Sequence, residues 1–169
     1  MAKVKLTKNE LKNQKDMLKR FQRYLPTLIL KKQQLQMVMR QVEAQVREKQ
    51  EEKEQRRQDM ESWIAVYGED IDTASYVEIE RLKTSAGNIA GIDIPVFEEL
   101  EFAIQDYDLF ETPVWLDDGI EGLYSLLRID AEMAVLEEQL RLLGNELRVT
   151  TQRVNLFEKV MIPDAQENI

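Results

Sequence analysis

The sequence contains neither cysteine nor histidine. Without cysteine the chain forms no disulfide and no thiolate metal site, which fits a reducing compartment. Without histidine it lacks the commonest general base and the commonest metal ligand of proteins. Carboxylates remain available for acid–base chemistry, so the composition disfavours an enzyme without excluding one. We expect no cofactor and no metal.

Aromatic residues and long apolar runs are also scarce. Aromatic side chains make up 7% of the chain, whereas 33% of its residues are charged. We therefore expect a thin, elongated buried layer. No apolar run approaches the ~20 residues that span a bilayer, and the basic start MAKVKLTKNELK lacks the apolar core of a signal peptide. We expect a soluble cytoplasmic chain without direct membrane insertion.

The net charge of −9 is distributed unevenly. Residues 1–40 carry eleven lysines and arginines against two carboxylates, whereas residues 61–169 have a net charge of −17. Ends of opposite charge attract each other in a chain that folds back on itself. A basic helix is also compatible with nucleic acid, but no aromatic platform or recognised motif accompanies the charge. We therefore expect no nucleic-acid partner.

The most informative pattern that is present lies near the C-terminus. Apolar residues alternate there at spacings of three and four residues, which is the repeat of a coiled-coil seam. This C-terminal seam consists of Leu126, Ile129, Met133, Leu136, Leu140, Leu143, Leu147, Thr150, Val154, Phe157 and Met161.

A second seam follows the same spacing near the N-terminus. Thr7 to Glu10 has the form of a capping box, so a helix is predicted to begin there. Pro26 interrupts the pattern and is expected to kink this helix near Leu25. Beyond residue 46 the seam becomes charged, which predicts a solvated helix with i,i+4 ion pairs. The N-terminal seam consists of Leu18, Phe21, Leu25, Leu28, Lys32, Leu35, Met39, Val42 and Val46.

The middle of the chain has a different character, with five of the six glycines between Gly68 and Gly122. The stretch NIAGIDIPVFEELEF, residues 88–102, predicts two short strands around a turn. Residues 107–115 are expected to be extended, because the residue before Pro113 is pushed out of the helical region. The second long helix is predicted to begin at Asp117 or Asp118.

The predicted fold is mainly α: a long antiparallel two-helix coiled coil of the N- and C-terminal helices, with a small central α+β or β-hairpin region. The expected division is residues 1–67 for the first helix, 68–122 for the central region and 123–169 for the last helix.

Two sequence blocks carry a family resemblance. The block from Glu146 to Pro163 resembles the Thr-x-Arg-Val-Asn-x-x-Glu and Ile-Pro signature of the D subunit of V-type and A-type rotary ATPases. A block from Asn88 to Pro95 is similar to that family's Asn-hydrophobic-Ala-Gly-hydrophobic-x-hydrophobic-Pro segment. Gln152 stands where the family usually has a second arginine. The positions that match are Asn88, Gly91, Pro95, Thr151, Arg153, Val154, Asn155, Glu158, Ile162 and Pro163.

The resemblance implies a central-stalk rotor subunit that is not itself catalytic. It implies an axle inside a head of alternating A and B subunits, which transmits torque between ATP hydrolysis or synthesis and ion transport. The implied partners are the head subunits A and B, the small F subunit of the stalk and the membrane-ring adaptor, which is the C (or d) subunit. The chain would thus lie peripheral to the membrane. Its sequence contains no Gly-x-x-x-x-Gly-Lys-Ser/Thr nucleotide-binding loop, so ATP would be hydrolysed by its partners.

Two other interpretations compete with this one. A generic coiled-coil adaptor or prefoldin-like scaffold explains the seams and the charge asymmetry, and it predicts a homo-oligomer. A carboxylate enzyme with a two-metal centre would carry Glu-x-x-His motifs on its helices, which the lack of histidine removes. In contrast to the homo-oligomer of the adaptor interpretation, the rotor interpretation predicts a monomer that binds a small partner tightly.

Overall fold

The computed structural model describes residues 7–67, 73–103, 105–108 and 110–169. Within these residues the chain is mainly helical, with a two-stranded antiparallel sheet. The elements are helix α1 (Lys8–Tyr67), a 3-10 turn (Thr73–Tyr76), strands β1 (Glu78–Ile89) and β2 (Ile92–Ala103), helix α2 (Leu116–Leu156), a π-helical turn (Phe157–Met161) and helix α3 (Ile162–Glu167).

Helix α1 begins where the capping pattern predicts. The backbone N–H of Glu10 donates to Thr7 Oγ1 at 3.3 Å, which satisfies one of the free donors at a helix start. The Glu10 carboxylate, however, accepts a bond from Gln14 Nε2 at 3.0 Å. Helix α1 continues past Pro26 to Tyr67 without an assigned break, so the predicted kink at Leu25 stays a prediction.

The predicted hairpin is present, but its strands are longer than expected. Strands β1 and β2 each contain 12 residues, and Ile89 pairs with Ile92 across the turn. The two turn residues, Ala90 and Gly91, both have positive φ, at 53° and 79°. Such a turn has the twist that joins two antiparallel strands through a two-residue loop. Strand β1 was missed over residues 78–87, because its first half, EIERLK, is mostly charged and lacks a clear apolar alternation.

The expectation of an extended segment over residues 107–115 is wrong. The Asp108 carboxylate accepts from the backbone N–H of Phe110 at 2.9 Å, and the Asp108 carbonyl accepts from the Glu111 N–H at 3.1 Å. An aspartate that binds the backbone two residues onward favours a turn, and this local bond outweighs the influence of Pro113. Helix α2 then begins at Leu116, so Asp117 and Asp118 lie in its first turn, where carboxylates are favourable.

The chain forms two compact units. Unit 1 combines residues 1–40 with residues 142–169, and unit 2 comprises residues 41–141. The boundaries of these two units differ from those of the expected division into residues 1–67, 68–122 and 123–169. That three-part division stays a prediction. Among the described residues, no helix combines the length and apolarity needed to cross a membrane.

Each unit has its own buried residues. In unit 1, Leu35 and Leu143 are fully buried at 0% exposure, and Thr150 and Val154 are also buried. In unit 2, the buried side chains come from both long helices and from β2, where Ile94 and Leu100 face inward. Others buried in unit 2 include Val42, Trp115, Leu116, Ile120, Ile129 and Val135.

Candidate functional site

Within unit 1, helix α1 contacts both α2 and the π-helical turn that follows α2. The rings of Phe21 and Phe157 meet edge to face with centroids 5.3 Å apart, which is a favourable aromatic geometry. Further along α1, Lys31 Nζ lies 2.6 Å from Glu146 Oε1. As the residue number rises along α1, that of its partner falls, so the two segments run antiparallel.

The predicted seam positions of unit 1 all lie on the inward side. Leu35, Leu143, Thr150 and Val154 are buried, and the other seam positions of this unit are half-buried. Those others are Leu18, Phe21, Leu25, Leu28, Lys32, Met39, Leu147, Phe157 and Met161. Their burial is what an interhelical seam requires, and their interlocking as a coiled coil remains a prediction.

In unit 2 the predicted seam positions are also buried or half-buried. Val42 and Ile129 are buried, and Leu126, Met133, Leu136 and Leu140 are half-buried. The surrounding contacts are partly ionic. Lys49 Nζ lies 2.5 Å from Glu132 Oε2, and Lys53 Nζ lies 2.6 Å from Asp130 Oδ1.

These ion pairs add to the prediction of a solvated helix with i,i+4 ion pairs beyond residue 46. The predicted pairs along the helix do form, as between Arg57 and Glu61. Lys49 and Lys53, however, reach carboxylates on α2. The hydrogen bond with Glu132 raises the pKa of Lys49, although partial burial opposes the shift. Ion pairs thus occupy two positions where apolar contacts would continue the seam.

Apolar contact resumes beyond the ion pairs. A Cβ added at Gly122 would lie 2.7 Å from Met60 Sδ, so α1 approaches α2 closely at this glycine. The indole rings of Trp63 and Trp115 then meet with centroids 6.3 Å apart. Glycine at residue 122 therefore provides room for the Met60 side chain.

The hairpin block of the resemblance is held by specific bonds. Asn88 Nδ2 donates to Asp93 Oδ1 at 2.9 Å across the hairpin, and Gly91 supplies the positive φ of the turn. Gln139 Nε2, on α2, donates to the carbonyl oxygen of Pro95 at 2.6 Å. The matching residues Asn88, Gly91 and Pro95 thus shape the hairpin tip and fix it to α2.

A groove of about 750 Å³ lies beside this attachment, within unit 2. Apolar side chains from both hairpin strands and from α2 line it, together with the paired Lys49 and Glu132. The apolar lining comprises Ile89, Ile94, Val96, Phe97, Val135 and Leu136.

The C-terminal block contains a change of helix type. The N–H of Ile162 donates to the carbonyl of Phe157, five residues earlier, which makes Phe157–Met161 a π-helical turn. Pro163 follows at the start of α3. Because proline has no N–H, it leaves the carbonyl four residues earlier without its usual helical donor. A π-helical turn next to Pro163 accommodates this loss.

The polar positions of the C-terminal block face solvent. Arg153, Asn155 and Glu158 are exposed, whereas Val154 between them is buried. Across the described part of the chain, none of the three forms an ion pair or a side-chain hydrogen bond. Thr151 and Ile162 are half-buried, and Pro163 is exposed.

Sequence reasoning missed two contributors. Gln139 was not predicted, although its spacing from Leu136 and Leu143 places it on the inward side of α2. The hydroxyl of Tyr107 donates to Asp117 Oδ1, in the first turn of α2. Apart from the closeness of Tyr107 to the start of α2, nothing in the sequence predicted this bond. The Asp117 contact raises the pKa of Tyr107. Within the described residues, no group of three or more acidic side chains is placed to hold a metal ion.

Comparisons with known proteins give a consistent result. The family described as the D subunit of ATP synthase matches residues 10–169. The V-type ATP synthase D subunit of Borreliella burgdorferi is 46% identical over 169 residues, covering 100% of this chain and 84% of that protein. The protein of the same name from Chlamydia muridarum is 35% identical, covering 99% of this chain and 84% of its own length. That from Chlamydia trachomatis is 34% identical with the same coverage.

Proposed function

The chain belongs to the family of ATP synthase D subunits, and we propose that it is the central-stalk rotor subunit of a V-type rotary ATPase. It is a non-catalytic subunit of that complex, as the two sequence blocks predicted. In this proposal the chain transmits torque between ATP hydrolysis or synthesis in the head and ion transport through the membrane ring.

The burial of the two seams is the observation that supports a torque-bearing role most directly. A shaft must resist twisting, and a continuous row of interlocking side chains between two helices provides that resistance. We propose that the seam residues of α1 and α2 form an antiparallel coiled coil. The ion pairs at Lys49 and Lys53 would continue the interhelical contact where the apolar row stops.

We assign partners by surface. The exposed Arg153, Asn155 and Glu158 form no ion pair within the described chain, so we assign them to contacts with head subunits A and B. We assign the hairpin and the central region, residues 68–122, to the small F subunit and to the C (or d) adaptor. The complex holds the chain at the membrane periphery.

Affinity purification of the tagged native chain from gently solubilised cells tests this assignment. Mass spectrometry should identify a Walker-type catalytic subunit, its non-catalytic homologue and a small third protein. Recovery of the chain alone as a homo-oligomer would instead favour the coiled-coil adaptor or prefoldin-like scaffold.

A double substitution tests the torque-bearing seam within the assembled complex. Leu140→Gln with Leu143→Gln places amides in the seam, where an unpaired buried polar group costs about 1–3 kcal/mol. We expect ATP hydrolysis to continue while ion transport falls. Leu30→Gln with Met37→Gln, at side chains of α1 that are 66% and 56% exposed, is the matched control. Full coupling in the seam variant would show that these two leucines carry no torque.

A further inference from the structure

One backbone hydrogen bond is missing in the first half of helix α1. Pro26 lies inside α1, and because proline has no N–H it cannot donate to the carbonyl of Gln22, four residues earlier. The side chain of Pro26 is exposed, so its ring adds little to the packing of unit 1. At residues 22–26, α1 therefore resists bending less than a regular helix does.

The helical segment that lies against α1 in unit 1 is interrupted as well. The π-helical turn Phe157–Met161 replaces the regular α-helical hydrogen bonds, and Pro163 removes a donor directly after it. No residue of the π-helical turn is buried, and Pro163 is exposed. This second segment therefore has an irregular backbone and no buried side chain at residues 157–163.

The two interruptions lie at neighbouring levels of unit 1. Phe21 contacts Phe157 and Lys31 contacts Glu146, which fixes the residues of the two antiparallel segments that lie opposite each other. Counting from these contacts, the missing bond of α1 lies opposite about residues 151–156, and the π-helical turn begins directly after them. Both interruptions therefore fall within about 15 Å along the two segments.

Buried side chains lie on both sides of this stretch but are scarce within it. The stretch comprises residues 16–26 and 151–161, which we call the weakened segment, and Val154 is its one buried residue. The buried residues next to it are Gln14 and Ala165 on one side and Leu35, Leu143 and Thr150 on the other. Few buried contacts and an incomplete set of backbone hydrogen bonds lower the local stability of a region.

We propose that the weakened segment is a joint, at which the end of unit 1 bends as one piece relative to the rest of that unit. The end comprises residues 8–15 of α1 together with α3. Gln14 and Ala165 are buried in it, which favours an end that moves as one piece over an end that frays. Bending at the joint would tilt the end while the fully buried Leu143 stays packed in the seam. Such a joint is a property of the chain alone and goes beyond the proposed function.

Nuclear magnetic resonance of the full chain tests the joint. Residual dipolar couplings of the backbone amides in an aligning medium report the orientation of each helical segment, averaged over motions that include hinge bending. The couplings of the end are compared with those of residues 27–40 on the same helix. Two segments of α1 in unit 2, residues 41–52 and 54–65, provide the matched comparison, since no proline lies within or between them.

A proline double variant tests the cause of the bending. Pro26→Ala with Pro163→Ala restores both backbone donors at exposed positions, so no buried contact is lost. Pro113→Ala is the control, because Pro113 lies in unit 2 outside the helices.

We expect the couplings of the end of the unsubstituted chain to be smaller by about a fifth, the reduction for bending within a cone of about 30°. The two segments of unit 2 should match each other. The double alanine variant should raise the couplings of the end to those of residues 27–40, and Pro113→Ala should leave them reduced.

Equal alignment of the end and of residues 27–40 in the unsubstituted chain would overturn the inference. Persistence of the reduction in the double alanine variant would also overturn it, because the two interruptions would then not cause the bending. Amide order parameters below about 0.6 throughout the end would show fraying instead of bending, which contradicts a joint. Each of these results leaves the rotor assignment intact, since the affinity purification tests that assignment separately.

Discussion

Replacing Leu35 with alanine should lower the free energy of unfolding by about 3 kcal/mol. Leu35 lies on the inward side of α1 with 0% of its surface exposed. Removing a fully buried leucine side chain loses its transfer free energy and leaves a cavity, which together cost about 2–5 kcal/mol. The middle of that range applies if the neighbouring side chains relax only partly into the space.

Leu30→Ala is the matched control on the same helix. Leu30 is 66% exposed, and the helix propensities of leucine and alanine are similar. The control should therefore change the free energy of unfolding by less than about 0.5 kcal/mol. The chemical change is the same at both positions, so any difference reports burial.

Urea unfolding followed by circular dichroism measures both variants. With a slope of about 2 kcal/mol per molar urea, the midpoint of Leu35→Ala should fall by about 1.5 M. The midpoint of Leu30→Ala should barely move. Equal losses for the two variants, or a larger loss for Leu30→Ala, would refute the assignment of the inward side of α1.

Two further predictions concern the hairpin. Both turn residues have positive φ, which glycine adopts more easily than alanine. Ala90→Gly should therefore raise the free energy of unfolding by about 0.5–1 kcal/mol, and Gly91→Ala should lower it by about 1 kcal/mol. Urea unfolding measures both changes, and changes of the opposite sign would contradict the turn geometry. Gln139→Leu removes the 2.6 Å bond to the Pro95 carbonyl and should speed hydrogen exchange of the β2 amides. Unchanged exchange would show that this bond does not hold the hairpin to α2.

The sequence predicted the long helices well because their signals are periodic and local. The capping pattern at Thr7 marked the start of α1, and the alternation from Leu126 to Met161 marked the inward side of α2 and of the π-helical turn after it. The turn residues within 88–102 likewise indicated a hairpin in the middle of the chain. Regular spacing was a reliable guide because each pattern depends on the geometry of a single element.

Features that depend on contacts between distant residues were harder to predict. The charged stretch around Lys49 and Lys53 gave no sign that its lysines reach Glu132 and Asp130, since their pairing depends on how α1 and α2 are aligned. The turn at Asp108 was missed because its aspartate competes with the influence of a nearby proline. At the C-terminal block, the sequence predicted one helix over residues 123–169 and gave no sign of the π-helical turn before Pro163.

The rotation of this chain inside the head is the most direct test of the central claim. Because the chain has no cysteine, Glu80→Cys, at an exposed residue of β1, would introduce a unique attachment site for a bead. With the head immobilised and ATP added, the rotor account predicts that the bead turns in one direction in discrete steps. A head that hydrolyses ATP while the bead shows only undirected motion would contradict it.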